Sequence, residues 1–514
     1  MSLASKAVLG AIWTISTSVG GRLVGLVGTL ILTRFLAPAE YGAVNVAIVV
    51  VTTAHFLSSA GFGQYVVANP KEGPDVVFHA TVYHVISGLV VFALVYAGQQ
   101  AVASVFEMPS LVEYIPTLLV AVIIDRIGYL PTRVLARDMR FEVLGLKQLA
   151  GEVIYAVAAV TLAWKGFGAE AVMWAFFSRM TVQALIPIAL VSWRDWLKPV
   201  KLKRETTKAL LDFGLPMTGA NALHFLSGKG DNLVMAAMFG PATVGFYNFA
   251  YNIANIPATH VGEHIGDVLL PSFAKLEAME DKHRALVRAS GLLALVVFPL
   301  ALGLGAVAHQ VVGVLLDDRW APVAPMLLIL SALSVFRPVG WLIQSYLQAM
   351  QRTRTLLVLE MIKVGALFAL IYALGSAGGE LWACGAIGVA FLVYAIASMF
   401  SVYRVDGLGM WRMTKPFVRP LLACLPMIGA VVGLRIVVDR FVWWALLLEI
   451  VGGGIIYIGS AFLIAGPQAR DFTNLVMNVV RRRQKAPSAD GKPPESGGNS
   501  SKGETEQESD GKIR

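Results

Sequence analysis

The sequence predicts an all-α, polytopic membrane protein of about fourteen transmembrane helices, on three observations. Its 514 residues are 56% hydrophobic and 15% charged, against roughly 45–50% and about 25% in soluble globular chains. The apolar residues fall in long runs, many above the roughly 18 residues that mark a membrane-spanning helix. One turn, PAEYGAVNVA at 38–47, returns 203 residues later as PATVGFYNFA at 241–250, each time between two apolar runs.

In order, the spans run at about 8–36, 43–67, 78–103, 111–134, 145–165, 169–193, 209–239, 243–270, 288–316, 321–349, 355–375, 381–403, 415–437 and 441–465. The first is too long for a signal-peptide core and no A-x-A site follows it, so it is expected to remain in the mature protein. Lys and Arg crowd alternate loops: Arg133, Arg137 and Arg140 after span 4; Arg194, Lys198, Lys201, Lys203, Arg204 and Lys208 after span 6; Lys275, Lys282, Arg284 and Arg288 after span 8; Arg352 and Arg354 after span 10; Arg404, Arg412 and Lys415 after span 12. The other loops are nearly bare. Positive residues stay on the cytoplasmic side, so both termini are expected there. The net charge of +9 reads as topology and contact with anionic lipid, not nucleic-acid binding. The two cysteines, Cys384 and Cys424, lie in apolar runs and offer no disulfide framework or metal site.

The repeated turn explains the organisation. Pro38, Gly42, Asn45 and Ala47 match Pro241, Gly245, Asn248 and Ala250 between spans 1 and 2 and between spans 7 and 8. Pro stops the incoming helix and Gly tolerates the turn. A weaker echo aligns Leu130, Leu135 and Arg140 with Leu342, Leu347 and Arg352. The predicted plan is an N-terminal six-helix lobe (1–194), a basic cytoplasmic linker (195–208), a C-terminal six-helix lobe (209–404), two accessory helices (405–465) and a mostly disordered cytoplasmic tail (466–514). Six is even, so the lobes are parallel repeats, an arrangement that puts a transporter's substrate between them. In the tail, FTNLVMNVVRRR reads as a short interfacial helix; the Pro, Gly, Ser, Glu and Lys that follow read as disorder.

Four stretches carry a resemblance: PAEYG after span 1, TRVLARDMRF after span 4, DRWAPVAPMLLILSALS opening span 10 and LQAMQRTRT after it. Over about residues 5–465 the chain resembles the polysaccharide-transporter branch of the multidrug/oligosaccharidyl-lipid/polysaccharide exporter superfamily, the Wzx-type flippases. The resemblance implies two lobes around a cavity that opens alternately to each side of a bacterial inner membrane. It implies an undecaprenyl-diphosphate-linked oligosaccharide as substrate, for exopolysaccharide or surface polysaccharide, and polymerase and glycosyltransferases as pathway partners.

Charged residues inside spans are costly and normally face a bundle interior or wet cavity. The basic set is Arg22, Arg126, Arg179, Lys229, Arg337 and Lys363; the acidic set is Asp125, Glu152, Asp212, Asp231, Glu263, Asp267, Glu360 and Glu449. Thr14, Ser18, Arg22, Gly25, Thr29 and Thr33 share one face of span 1. That stripe reads either as a cavity wall or, through Gly21, Gly25 and Gly28, as a close helix contact. A diphosphate needs cations, Arg as a bidentate donor and Lys as a point charge. Arg22, Arg126, Lys229 and Arg337 are the expected headgroup site.

HVGEHIGD in span 8 sets His260, Glu263, His264 and Asp267 on one helical face. Its H-x-x-E-H matches a zinc-protease signature, but no third ligand is evident, so no metal or cofactor is expected. Asp231, Glu263, His264 and Asp267 are instead candidates for proton or sodium coupling, weighed against a solvated helix end. LSGKGD at 226–231 fails the phosphate-loop pattern. Trp13, Trp320, Trp443 and Trp444, near span ends, are expected as interfacial anchors. The reading is a flippase rather than an enzyme. Its rival, an ion-coupled drug/cation antiporter, would prefer an acid-lined cavity.

Overall fold

In a computed structural model, the described residues are 20–485 apart from 22, 23, 26, 60, 70, 71, 275, 351, 439 and 440; for some others, among them 215–217, 220, 221, 224 and 256–272, only the backbone is described. Everything regular among them is helical. The first half holds α1 (helical over the described part of 20–32), α2 (Pro38–Leu57), α3 (Phe62–Ala68), α4 (Pro74–Val105), α5 (Leu111–Arg137), α6 (Phe141–Trp164), α7 (Ala169–Leu190) and the short α8 (Trp193–Trp196). The second half holds α9 (Arg204–Ala274), α10 (Met279–Ala306), α11 (Ala308–Leu315), α12 (Val323–Leu333), α13 (Arg337–Ala349), α14 (Thr353–Gly378) and α15 (Glu380–Asp406). Then come α16 (Met410–Val437), α17 (Trp443–Ile464) and α18 (Gly466–Lys485).

Eleven helical stretches among the described residues are long and apolar enough to cross a membrane. α12 and α13 count as one, Val323–Ala349. The remaining expected crossings are α1, which lies partly outside the described residues; α5, into which Glu113, Asp125 and Arg126 bring charge; and one limb of α9. α9 joins spans 7 and 8 into one 71-residue helix broken at Gly240, whose φ of 78° only glycine adopts freely. The surface is apolar where a soluble protein would be polar: Leu94, Trp382, Val437 and Leu463 stand exposed, as lipid-facing residues do.

α2 begins with Pro38 at its first turn, where no N–H is needed, and the Glu40 carboxylate accepts from the Ala37 N–H at 3.1 Å. The two copies of the repeated turn then meet each other. A Cβ on Gly42 would strike the Pro241 carbonyl oxygen, and one on Gly245 the Pro38 carbonyl oxygen. Backbones therefore touch where side chains would hold them apart. The largest apolar cluster runs across this contact, taking Leu36, Tyr41, Val44 and Ala47 from the first half and Met235, Val244, Tyr247 and Phe249 from the second.

Trp320 seals the same end. It is fully buried and packs on Tyr41, Phe246 and Phe249 with ring centroids 5.7, 6.1 and 5.3 Å away. Its Nε1 donates to the Thr33 carbonyl at 3.1 Å. This corrects the expectation of an interfacial anchor: the indole N–H is satisfied inside the protein, not at a headgroup layer. Trp443 and Trp444 are exposed, as such anchors must be, and Trp13 lies outside the described residues.

α16 and α17 pack on α10 through the buried Tyr457, whose hydroxyl donates to the Leu295 carbonyl at 2.6 Å. Arg435 faces Glu449 at 3.9 Å and donates to the Ala306 carbonyl. The described residues up to 469 form one compact unit and those from 470 a second. The predicted interfacial segment lies in α18, and the tail expected to be disordered, 486–514, lies outside the described residues.

Candidate functional site

A cavity of about 460 Å³ lies between the halves, one turn of α2 beyond the Gly42 contact. α1 lines it with Gly25 and Thr29, α2 with Tyr41 and Asn45, and α6 with Gln148, Glu152 and Tyr155. α7 adds Phe176 and Arg179; the second half adds Phe249, Asn252 and Asn255 of α9. The walls are thus amide, phenol and one ion pair, a mixture able to hydrogen-bond hydroxyls and to take an anion.

Among the described residues, Arg179 is the cation that lines this cavity. Its Nη1 is 3.6 Å from Glu152 Oε1, and its guanidinium lies over Tyr155 and Phe176 at 5.0 and 5.1 Å from their centroids. The rings fix the plane of the fork. The Arg179 Nε, buried, makes no hydrogen bond with the described residues. Glu152 also accepts from Gln148 Nε2 at 3.1 Å. α1 approaches α6 closely here: a Cβ on Gly25 would lie 3.5 Å from Glu152 Oε2. The small residues of span 1 therefore serve both of the roles read from them, close packing at Gly21 and Gly28 and a cavity wall at Gly25 and Thr29.

The four expected headgroup residues stand in different places. Arg22 lies outside the described residues, although its neighbour Gly25 lines the cavity. Arg126 is buried and is not part of the lining. Its Nε donates to the His84 carbonyl at 2.6 Å, Nη1 to Ser58 Oγ at 2.8 Å, and Nη2 to the Ser58 carbonyl at 2.6 Å and Ser87 Oγ at 3.1 Å. Weaker contacts reach His55. The guanidinium's donors are spent on tying α2 to α4 and α5. Lys229 is exposed. Arg337 is buried between Tyr251 and Phe391, 5.0 and 4.5 Å from their centroids. It donates to Asn255 Oδ1, and Asn255 lines the cavity, so Arg337 stands one residue behind the wall.

Among the coupling candidates, Asp231 is buried and accepts from Asn232 N and Nδ2, at 2.9 and 3.0 Å, and from the Tyr247 hydroxyl. Glu263, His264 and Asp267 lie on the helical backbone of α9 with side chains outside the described residues. Arg179 and Glu152 were visible in the sequence as in-span charges. What placed them, the i and i+3 spacing of Glu152 and Tyr155 opposite Phe176 and Arg179, requires knowing that α6 and α7 are neighbours.

A family model described as "Polysaccharide biosynthesis protein" matches residues 31–325. The "Lipopolysaccharide biosynthesis protein WzxC" of Escherichia coli (strain K12) is 26% identical over 410 residues, 79% of this chain and 82% of the relative. The "Succinoglycan biosynthesis transport protein ExoT" of Rhizobium meliloti (strain 1021) is 25% identical over 428 residues, 80% and 84% of the two chains. Among solved structures, "Lipid II flippase MurJ, inward closed conformation" superposes with a TM-score of 0.74 at 13% identity, over 89% of this chain and 98% of that one. At that identity the likeness is one of fold.

Proposed function

The chain belongs to the polysaccharide biosynthesis protein family matched over residues 31–325, and from that premise we propose that it is a flippase for lipid-linked oligosaccharides. The carrying observation is the polar cavity between the halves, with Arg179 held by two aromatic rings and one carboxylate. A diphosphate brings at least two negative charges to Arg179, displacing Glu152 as its partner, and offers the fork bidentate bonds. Arg22, three residues before Gly25 in the sequence, supplies a second cation to the headgroup site, and Arg337 orients Asn255 from behind. The amides of Asn45, Gln148 and Asn252 meet the sugar hydroxyls. The prenyl tail stays in the bilayer.

The substrate is an undecaprenyl-diphosphate-linked repeat unit carried from the cytoplasmic to the outer leaflet of a bacterial inner membrane, with both termini cytoplasmic. The pathway's glycosyltransferases act before it and its polymerase after. Residues 1–194 and 209–404 act as two lobes, with the Gly42–Gly245 contact at the outer end. The outer end is closed in this conformation, and alternating access requires that contact to part. No covalent chemistry is assigned to the protein. A drug/cation antiporter would place an acid, not an Arg held by rings, at the centre of the cavity.

The test is leaflet accessibility of a labelled undecaprenyl-diphosphate oligosaccharide in proteoliposomes, with wild type beside Arg179→Gln. Protein-dependent appearance of label in the opposite leaflet, reduced at least about tenfold in the variant, is expected from the loss of one charge-assisted contact. Wild-type movement in Arg179→Gln would remove Arg179 from the path; no movement in any protein would remove the flippase reading.

A further inference from the structure

A second polar cluster lies in the first half, away from the cavity, near the Leu57 end of α2. His55 Nε2 is 3.6 Å from Asp125 Oδ2, and its Nδ1 is 3.5 Å from Arg126 Nη1. The His55 ring stacks on Phe92, with centroids 6.2 Å apart. The His55 and Asp125 side chains keep 20% and 16% exposure.

The partners assign the imidazole's state. A guanidinium only donates, so Nδ1 opposite Arg126 carries the lone pair; the ring proton then sits on Nε2, towards the carboxylate. That tautomer is the neutral imidazole. A proton added at Nδ1 would set N–H against N–H at 3.5 Å. Among the described residues, the other charged or titratable groups facing this point are Lys147 of α6 and His84 of α4; Arg133 of α5 faces His84. All but Asp125 are cationic or neutral. Lys147 donates to Thr132 Oγ1 at 2.9 Å and stays on its own side of Asp125. α9 brings Phe225 against Phe56; the side chain of His224 beside it lies outside the described residues.

We propose that His55 is the proton-binding site that drives the transport cycle, with Asp125 as its counter-ion and Arg126 as the group that expels the proton. The proposal rests on the flippase reading for what is driven, but not for the site. In the step, His55 Nδ1 takes a proton from water, the imidazolium pairs with Asp125, and Arg126 Nη1 gives up His55 and keeps Ser58 Oγ. That rearrangement does not fit the present packing, so the proton belongs to a different conformation. A ligand that binds one of two states better shifts the balance towards it. The closed outer end therefore goes with an empty His55, and proton binding favours parting of the Gly42–Gly245 contact. The transmission is α2 itself: His55 and Gly42 lie on one helix, 13 residues or about 20 Å apart. A proton taken up when the outer end is open, and shed beside Arg126 when it closes, is the sequence an outward-moving substrate needs.

The experiment uses no substrate. Lys165 and Asp318 are exposed residues, one on the α6–α7 loop and one beside Trp320. Spin labels at Lys165→Cys and Asp318→Cys in the full-length protein report the outer end by distance distribution. Lowering the pH from about 8 to about 5.5, across the histidine range, is expected to raise the long-distance population several-fold. One proton sets a ceiling of about tenfold per pH unit. His55→Gln is expected to keep the short distance at pH 8, which shows that it folds, and to lose the shift; Asp125→Asn is expected to move the transition to lower pH. A wild-type shift that survives in His55→Gln, or no shift in wild type, would overturn the proposal. A shift without oligosaccharide movement would keep the proton site and reject the flippase; movement with no shift would do the reverse.

Discussion

Gly42 and Gly245 stand face to face, each with the other half's proline carbonyl where its own Cβ would be. The Gly245 N–H lies 2.8 Å from the Cβ position of Gly42. The repeat in the sequence is therefore not two independent turns but the two sides of one contact.

Gly42→Ala or Gly245→Ala puts a methyl into that contact. Overpacking of this kind costs ~1–3 kcal/mol, here charged only to the closed conformation. The closed-to-open ratio is expected to fall by roughly 5- to 150-fold, with membrane abundance kept. Distances between labels across the outer end check it: unchanged distributions in both variants would mean that the contact yields without opening.

Trp320 closes the same end by volume rather than by backbone. Replacing a buried Trp by Ala in a core costs ~3–5 kcal/mol, and Trp320 touches the first half through Thr33 and Tyr41 and the second through Phe246 and Phe249. Trp320→Ala is expected to admit a membrane-impermeant thiol reagent from outside to a Thr29→Cys reporter in the cavity. The native Cys384 and Cys424 are buried and leave the background low. Equal labelling with and without Trp320 would show that the indole is not part of the closure.

The sequence made the helical class and the order of the apolar runs readable because hydropathy is a local property, and the turn repeat because it is a pattern. It could not tell one in-span Arg from another. Arg126 and Arg179 both interrupt apolar runs, yet the first is consumed by carbonyls of α2 and α4 and the second faces a cavity. The difference lies in partners up to 71 residues away. His55 was passed over for the same reason: on its own helix it is a single histidine among apolar residues, and Asp125 joins it only through the packing of α2 on α5. Trp320 followed the usual rule for a Trp at a span end until Thr33 supplied its hydrogen bond.

The outer end also carries an exposed pair, Asp317 and Arg319, 2.7 Å apart at Oδ2 and Nη2. Arg319 also donates to the Arg34 carbonyl across the halves at 3.3 Å. Hydrogen bonds from the Arg319 side chain and N–H hold the Asp317 carboxyl down at about 2. A lowered folded value means that the pair's contribution is complete above the ordinary carboxylate range and is lost as the pH falls towards about 2. Nothing about this pair changes where histidine titrates. Asp317→Asn is expected to leave the pH profile of transport between roughly 5 and 8 as in wild type, measured in the same proteoliposomes. A displaced profile would make this pair, rather than His55, a source of the pH response.

Arg126 and Arg179 separate architecture from transport. Removing Arg126 takes a charged donor from the His84 and Ser58 carbonyls and from the Ser58 and Ser87 hydroxyls inside the first half, which keep only their neutral bonds to one another and to the His55 carbonyl. A hydrogen bond to a charged group is worth ~1.5–3 kcal/mol, so Arg126→Ala, which loses several, is expected to lose on the order of 3 kcal/mol or more and to fall sharply in membrane abundance and melting temperature. Arg179 leaves only Glu152 behind, partly exposed and still bonded to Gln148. Arg179→Gln is expected to melt near wild type and to lose transport. Arg179→Lys keeps the charge but not the fork, and is expected to recover transport only in part. Melting curves and flipping rates on the same three preparations decide it. An Arg126→Ala protein that is stable but inactive would move Arg126 from the framework to the substrate path, and an unstable Arg179→Gln would do the opposite for Arg179.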